Sequence, residues 1–144
     1  MHEAVLFLHS YWAYLVLLIL IIATINAIAK FSNKKEFNAK DLRISLFALI
    51  VSHIQLLIGI VLYFVSPRFS LWTDPNVNVM KDSLTRLYLV EHPFTNILAI
   101  VFITMGWSKH KKKVNSTQKF KVISIFYGLG LILLLSRIPW DSWI

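Results

Sequence analysis

The chain of 144 residues is 57% hydrophobic and 15% charged, with a net charge of +8. A water-soluble domain carries about 25% charged residues, so lipid is the expected solvent for most of this surface. There are no cysteines, which excludes disulfides, thiolate metal sites, iron–sulfur clusters and covalently attached c-type haem.

Four apolar segments follow in order, over residues of about 4–29, 44–65, 87–107 and 120–138. Each has the roughly 17–25 residues that cross a hydrocarbon layer. Segments of that length can satisfy their backbone groups in lipid only as helices. The first is too long for the apolar region of a signal peptide and no small-residue cleavage site follows it, so it reads as a retained helix. The predicted fold is an all-α, four-helix transmembrane bundle, a single integral membrane domain.

The connections set the expected orientation. Lys30, Lys34, Lys35, Lys40 and Arg43 flank the first connection, and Lys109, Lys111, Lys112, Lys113, Lys119 and Lys121 flank the third. The remaining four basic residues are Arg68, Lys81, Arg86 and Arg137. The positive-inside rule therefore places the first and third connections in the cytoplasm and both termini on the outer, periplasmic side of a bacterial inner membrane. Trp12, Trp72, Trp140 and Trp143 then fall at the outer interface as an aromatic belt. Clustered this way, the positive charge is a topology signal, and no nucleic-acid partner is implied. The second connection, about 66–86, is the longest, with turn signals at Pro67, Pro75, Asn76 and Asn78. Asp82 or Ser83 is the expected N-cap of the third helix.

Ionisable groups inside a membrane are costly and mark function by default. Three histidines qualify: His9, His53 and His92 on the first three helices, with Glu91 and Asn96 beside His92. His2 and His110 read as solvated. By helical rise, His9 and His92 lie one to two turns inside the outer boundary, and His53 lies near the midplane. Tyr88, His92, Thr95, Asn96 and Ala99 share one face of helix 3, while Pro93 frees the carbonyl of Leu89. On helix 2, Ser45, Ala48, Ser52, Gln55 and Gly59 form a small and polar stripe suited to close packing. His53 lies well around the helix from that stripe. The stripe therefore either packs on a neighbour while His53 faces a cavity, or it serves a second protein copy.

Neutral imidazoles from two helices are the donor set of haem b in a helical bundle. Gly59, Ala99, Gly128 and Gly130 offer space for a macrocycle, and Arg86 and Arg137 offer propionate contacts, or anchors at the interface. The favoured ligand pair is His53 with His92, since helices 2 and 3 share one outer connection; His9 is the alternative to His53. A zinc or copper site on the three histidines and Glu91 is a rival, although His-x-x-His and Glu-x-x-His spacings are absent. A quinone site on His92, Glu91 and Arg86 is another.

Several motifs together resemble a group of small bacterial four-helix membrane proteins commonly labelled cytochrome b-like. They are His9-Ser10 followed by Trp12, the run Ser52 to Phe64, Met80-Lys81-Asp82-Ser83, Arg86, Val90-Glu91-His92 and Ile138-Pro139-Trp140. The resemblance spans nearly the whole chain. It implies a b-type haem with axial ligands drawn from His9, His53 and His92. This chain departs from the group at Tyr11, where an arginine precedes the tryptophan of the first motif. A looser likeness, at the level of the fold, is to the haem-binding half-bundles of haem A synthases.

With no nucleophile–base arrangement and no nucleotide-binding motif, the chain reads as an electron-transfer component rather than a self-contained enzyme. The second reading is a non-catalytic accessory subunit of a larger membrane complex, or a homo-oligomer. In it, the helix 2 stripe and the helix 4 glycines form partner interfaces and the histidines are hydrogen-bonding contacts.

Overall fold

The computed structural model describes residues 1–143. Four helices are long and apolar enough to cross a membrane: α1 (His2–Ser32), α2 (Ala39–Val65), α3 (Ser83–Lys111) and α4 (Ser116–Ser136). A short helix, α5 (Trp140–Trp143), follows. The chain is a multi-pass membrane protein of all-α class. Leu18, Ile25, Phe47, Leu57, Phe94 and Ile132 are all more than half exposed. Apolar exposure spread along every long helix would aggregate in water and is what lipid contact requires.

The boundaries follow local chemistry. α2 begins five residues before the predicted start, because Asn38 and Asp41 form a capping box. Asp82, of the two candidates, caps α3, accepting from the Thr85 N–H at 3.2 Å and from the Thr85 hydroxyl. Asn115 caps α4 through the Gln118 N–H. α4 stops at Ser136, two residues short of the predicted end, where Pro139 disfavours helix. The long connection contains a 3₁₀ segment, Pro67–Thr73, capped by Ser66.

The helices pack as a square with α1 beside α2, α2 beside α3, α3 beside α4, and α4 back against α1. α1 and α3 stand on one diagonal. One end of the bundle carries Met1, the 66–82 connection and α5; the other carries the two short lysine-rich connections. The dry core lies in the lysine-rich half: Leu20, Ala23, Ala27, Ala48, Ile103, Phe120, Ile123 and Tyr127. The Tyr127 hydroxyl donates to the Ser45 carbonyl at 2.8 Å, so even this buried phenol is satisfied.

The small residues are consumed inside the bundle. Ser45, Ala48 and Ser52 are buried. The Trp12 indole donates to the Val51 carbonyl and Gln55 to the His9 carbonyl, which ties the stripe to α1. On α4, a Cβ at Gly130 would stand 2.7 Å from Ile103 and 3.0 Å from the Ala99 carbonyl oxygen. Ser45, Ala48, Ser52 and Gly130, four residues of these predicted surfaces, thus make their contacts inside the bundle.

His110 corrects the sequence reading most clearly. It is fully buried, not solvated. Its ring packs on Phe37 and Trp107 with centroids 5.4 and 4.7 Å away. The two basic connections close over it, since the Phe37 N–H donates to Ser116 Oγ and Lys119 Nζ to the His110 carbonyl. Nearby, the fully buried carboxylate of Asp41 accepts from Asn26, from Lys30 at 2.6 Å and from the Asn38 N–H.

A candidate haem site at the terminal end

Pro93 lacks an N–H, so the α3 ladder must be rerouted around it. Leu87–Glu91 forms a π-helical turn, and the His92 N–H donates to the Leu87 carbonyl. Such wide turns recur at functional sites. The freed Leu89 carbonyl accepts the Tyr63 hydroxyl at 2.9 Å, and Trp72 in turn donates to Tyr63 Oη. The 66–82 connection is thus hydrogen-bonded to the turn that presents Glu91 and His92.

Two histidines converge beneath this turn. The rings of His9 and His92 have centroids 6.2 Å apart and planes crossing at 81°, reaching across the α1–α3 diagonal. His9 lies against α2 where Gly59 leaves room: a Cβ there would stand 3.3 Å from His9 Cε1. His92 Nδ1 is 2.8 Å from the Arg137 carbonyl, so Nδ1 carries the proton and Nε2 keeps its lone pair. Asn96 Nδ2 is 3.2 Å from His92 Nδ1 and 3.1 Å from Nε2. These nitrogens flank Cε1, so a group that near to both stands over the ring face, in line with neither lone pair.

His53 is elsewhere. Its Nδ1 is 2.8 Å from the Leu49 carbonyl one turn back, and its Nε2 is 3.3 Å from Thr104 Oγ1. Thr104 lies twelve residues along α3 from His92, about 18 Å by helical rise. The favoured pair of His53 with His92 is therefore not brought together; His9 with His92 is. Both nitrogens of His53 have protein partners, which is the behaviour of a helix-packing contact. The rival set of three histidines with Glu91 is dispersed as well. Among the described residues, no group of three or more His, Asp or Glu side chains is gathered for one metal ion.

Glu91 sits between two arginines. Arg86 Nε is 2.7 Å from Oε2 and Arg137 Nε is 3.7 Å from Oε1. All three are partly exposed, so each pair contributes no more than about 1 kcal/mol. Arg86 also donates to the Met80 carbonyl at 2.8 Å. Around the histidines, three buried polar atoms lack a protein partner: His9 Nδ1, Gln55 Oε1 and Asn96 Oδ1. Buried polar atoms are rarely left so. A fourth such atom, His110 Nε2, lies in the lysine-rich half.

Haem b in a helical bundle needs two imidazoles that can share one iron atom. At metal–imidazole bond lengths of about 2.0–2.1 Å, two rings sharing one metal atom have centres roughly 6 Å apart. The observed 6.2 Å satisfies that condition. His92 Nε2 is unprotonated with its proton fixed on the far nitrogen, the arrangement that orients metal-bound histidine. The guanidinium groups of Arg86 and Arg137 stand on either side of Glu91, the residue before His92, and are of the kind that recognises carboxylates. By this separation, His9 and His92 are the residues that would hold a haem iron.

The residues gathered here were visible in the sequence, but their partners were not. The Arg137 backbone carbonyl has no sequence signature. Gly59 reads in the sequence as a close-packing or space-giving residue, and the structure names its neighbour as His9. Asp41 was overlooked, although Asn38 with Asp41 three residues later before an apolar run is a capping signal. This is a multi-pass membrane bundle with a polar site at its terminal end, and no family, curated protein or solved structure was found to match the chain.

Proposed function

We propose that this protein is a b-type cytochrome of the bacterial inner membrane, an electron-transfer component in which His9 and His92 would hold the haem iron. The observation that carries the reading is the convergence of these two imidazoles across the bundle diagonal at 6.2 Å. The bound haem would supply reversible one-electron chemistry at its iron. Arg137 holds the proton of His92 on Nδ1 through its carbonyl and, with Arg86, offers cations to propionates near the membrane surface. Glu91 keeps both guanidinium groups in place meanwhile. The lysine-rich end faces the cytoplasm by the positive-inside rule. The site then lies toward the periplasmic side, within reach of a redox partner there. The dry core of Leu20, Ala48, Ile103 and Tyr127 separates it from the cytoplasmic face.

The test is a reduced-minus-oxidised absorption spectrum of detergent-purified protein, with a pyridine haemochrome assay for stoichiometry. About one haem per chain is expected in wild type and in His53→Ala. His9→Ala and His92→Ala should lose the low-spin spectrum while remaining folded. A colourless wild-type protein, made with ample haem, would refute the cytochrome. Loss of haem in His53→Ala with retention in His9→Ala would refute the ligand pair.

A further inference from the structure

The His9–His92 pair spans a diagonal, and the segment after α4 supplies the link between its two helices. Arg137 contributes its carbonyl to His92 and its guanidinium to Glu91, both on α3. Six residues on, the Trp143 ring stacks on Tyr14 of α1 with centroids 4.7 Å apart and planes 28° apart. Tyr14 is five residues along α1 from His9. Between these ends the segment makes its own turn: the Trp140 indole donates to the Leu135 carbonyl, and the Ser142 and Trp143 N–H groups donate to the Pro139 carbonyl. Beside the start of α3, Ile138, Pro139 and Trp140 line a cavity of about 250 Å³ together with Leu84 and Leu87. Its far end meets α1 through the stack of Trp143 on Tyr14.

We infer that the 137–143 segment is a strap that sets the relation between the two histidines, with Trp143 and Tyr14 as positioning residues for His92. The Arg137 carbonyl decides which nitrogen of His92 carries the proton and how the ring is turned. That carbonyl follows the last turn of α4, where the φ of Arg137 is −128° and the helix has already ended. It has no ladder of its own to hold its direction. Anchoring the strap on α1, five residues from His9, couples the orientation of one imidazole to the helix that bears the other. An aromatic stack at the interface adds only modestly to the burial of its rings. That is too little to govern folding of the bundle, yet sufficient to order a seven-residue segment already closed by its own hydrogen bonds.

The inference rests on the His9–His92 reading for its role in haem chemistry, but its structural core is readable without haem. Nitrogen-15 NMR of histidine-labelled protein in nanodiscs, prepared without haem, reports the tautomer of His92. Wild type should show one His92 form, protonated and hydrogen-bonded at Nδ1. Trp143→Ala should convert it to a mixture of tautomers, and Trp143→Phe, which preserves the stack, should restore the single form. Tyr14→Ala removes the other half of the stack from an exposed position on α1 and should reproduce Trp143→Ala, which keeps the test open if that variant fails to fold. In the haem-loaded protein, the same Ala variants should shift the low-spin electron paramagnetic resonance g values at unchanged haem content. An unaltered His92 signal in Tyr14→Ala or Trp143→Ala overturns the strap. A colourless wild type with the NMR response intact overturns only the cytochrome.

Discussion

Two glycines on α4, two residues apart, should respond in opposite ways to the same substitution. At Gly130 a Cβ would stand 2.7 Å from Ile103 Cγ1 and 3.0 Å from the Ala99 carbonyl oxygen, whereas ordinary contact begins at 3.4 Å. The shortfall against Ile103 is about 0.7 Å. A new rotamer of Ile103 cannot relieve the second clash, because Ala99 O is backbone. α3 and α4 must therefore separate along the most extensive contact in the bundle. Overpacking of that kind costs about 1–3 kcal/mol, and in lipid the lost close packing has no hydrophobic force to offset it. At Gly128 the nearest atom to a new Cβ is Thr24 Cγ2 at 3.8 Å, an ordinary contact. Alanine there also removes the unfavourable helix propensity of glycine, about 1 kcal/mol in water. We expect Gly130→Ala to lower the thermal midpoint in detergent and Gly128→Ala to leave it unchanged or raise it. Equal destabilisation by both would refute the packing argument, since the two differ only in what they face.

Asp41→Ala should destabilise the bundle by about 3 kcal/mol, because it leaves Lys30 and Asn26 without the buried carboxylate they share. In the same thermal assay, Asp41→Leu combined with Lys30→Met should recover only the part due to the stranded Lys30, since the Asn26 amide and the Asn38 N–H stay unpaired. Tyr63→Phe strands the Leu89 carbonyl and the Trp72 indole, at about 1 kcal/mol. Amide exchange over residues 87–93 should speed up before exchange elsewhere in α3. The Asp82 carboxyl is held below its ordinary value of 3.8, first by the Thr85 hydroxyl and then by the Thr85 N–H. A depressed value in the folded state means that this cap is fully in place above pH 3.8 and is lost as the pH falls below it. The Thr85 amide should therefore exchange faster in acid than neighbouring amides after correction for intrinsic rates, and in Asp82→Asn that difference should vanish.

Part of the candidate site was legible in the chain itself. His9, His92, Glu91, Asn96, Arg86 and Arg137 stood out because ionisable and amide groups are expensive in lipid. The Leu89 carbonyl freed by Pro93 was foreseeable from proline chemistry, but that Tyr63 fills it was not. That the His53 ring lies far from His92 was not legible, because a histidine bonded to the carbonyl one turn back looks the same in sequence as one that binds a ligand. His110 was undervalued, because a lysine run around a residue says nothing about which way its own side chain turns.

By itself the sequence determined the four spans, their order and the gathering of positive charge at one end. Those follow from a one-dimensional condition: a helix in lipid must be long, apolar and closed in its hydrogen bonding. Only the tertiary structure decided that α1 and α3 face each other across the diagonal, that His9 and not His53 meets His92, and that the segment after α4 returns to α1. Those outcomes depend on how each helix is rotated about its axis. Rotation in turn is set by close contacts such as Gly130 on Ile103, Gly59 on His9 and Tyr127 on Ser45. Each of these joins residues far apart in the chain through fits of a few tenths of an ångström, which no spacing along one helix encodes.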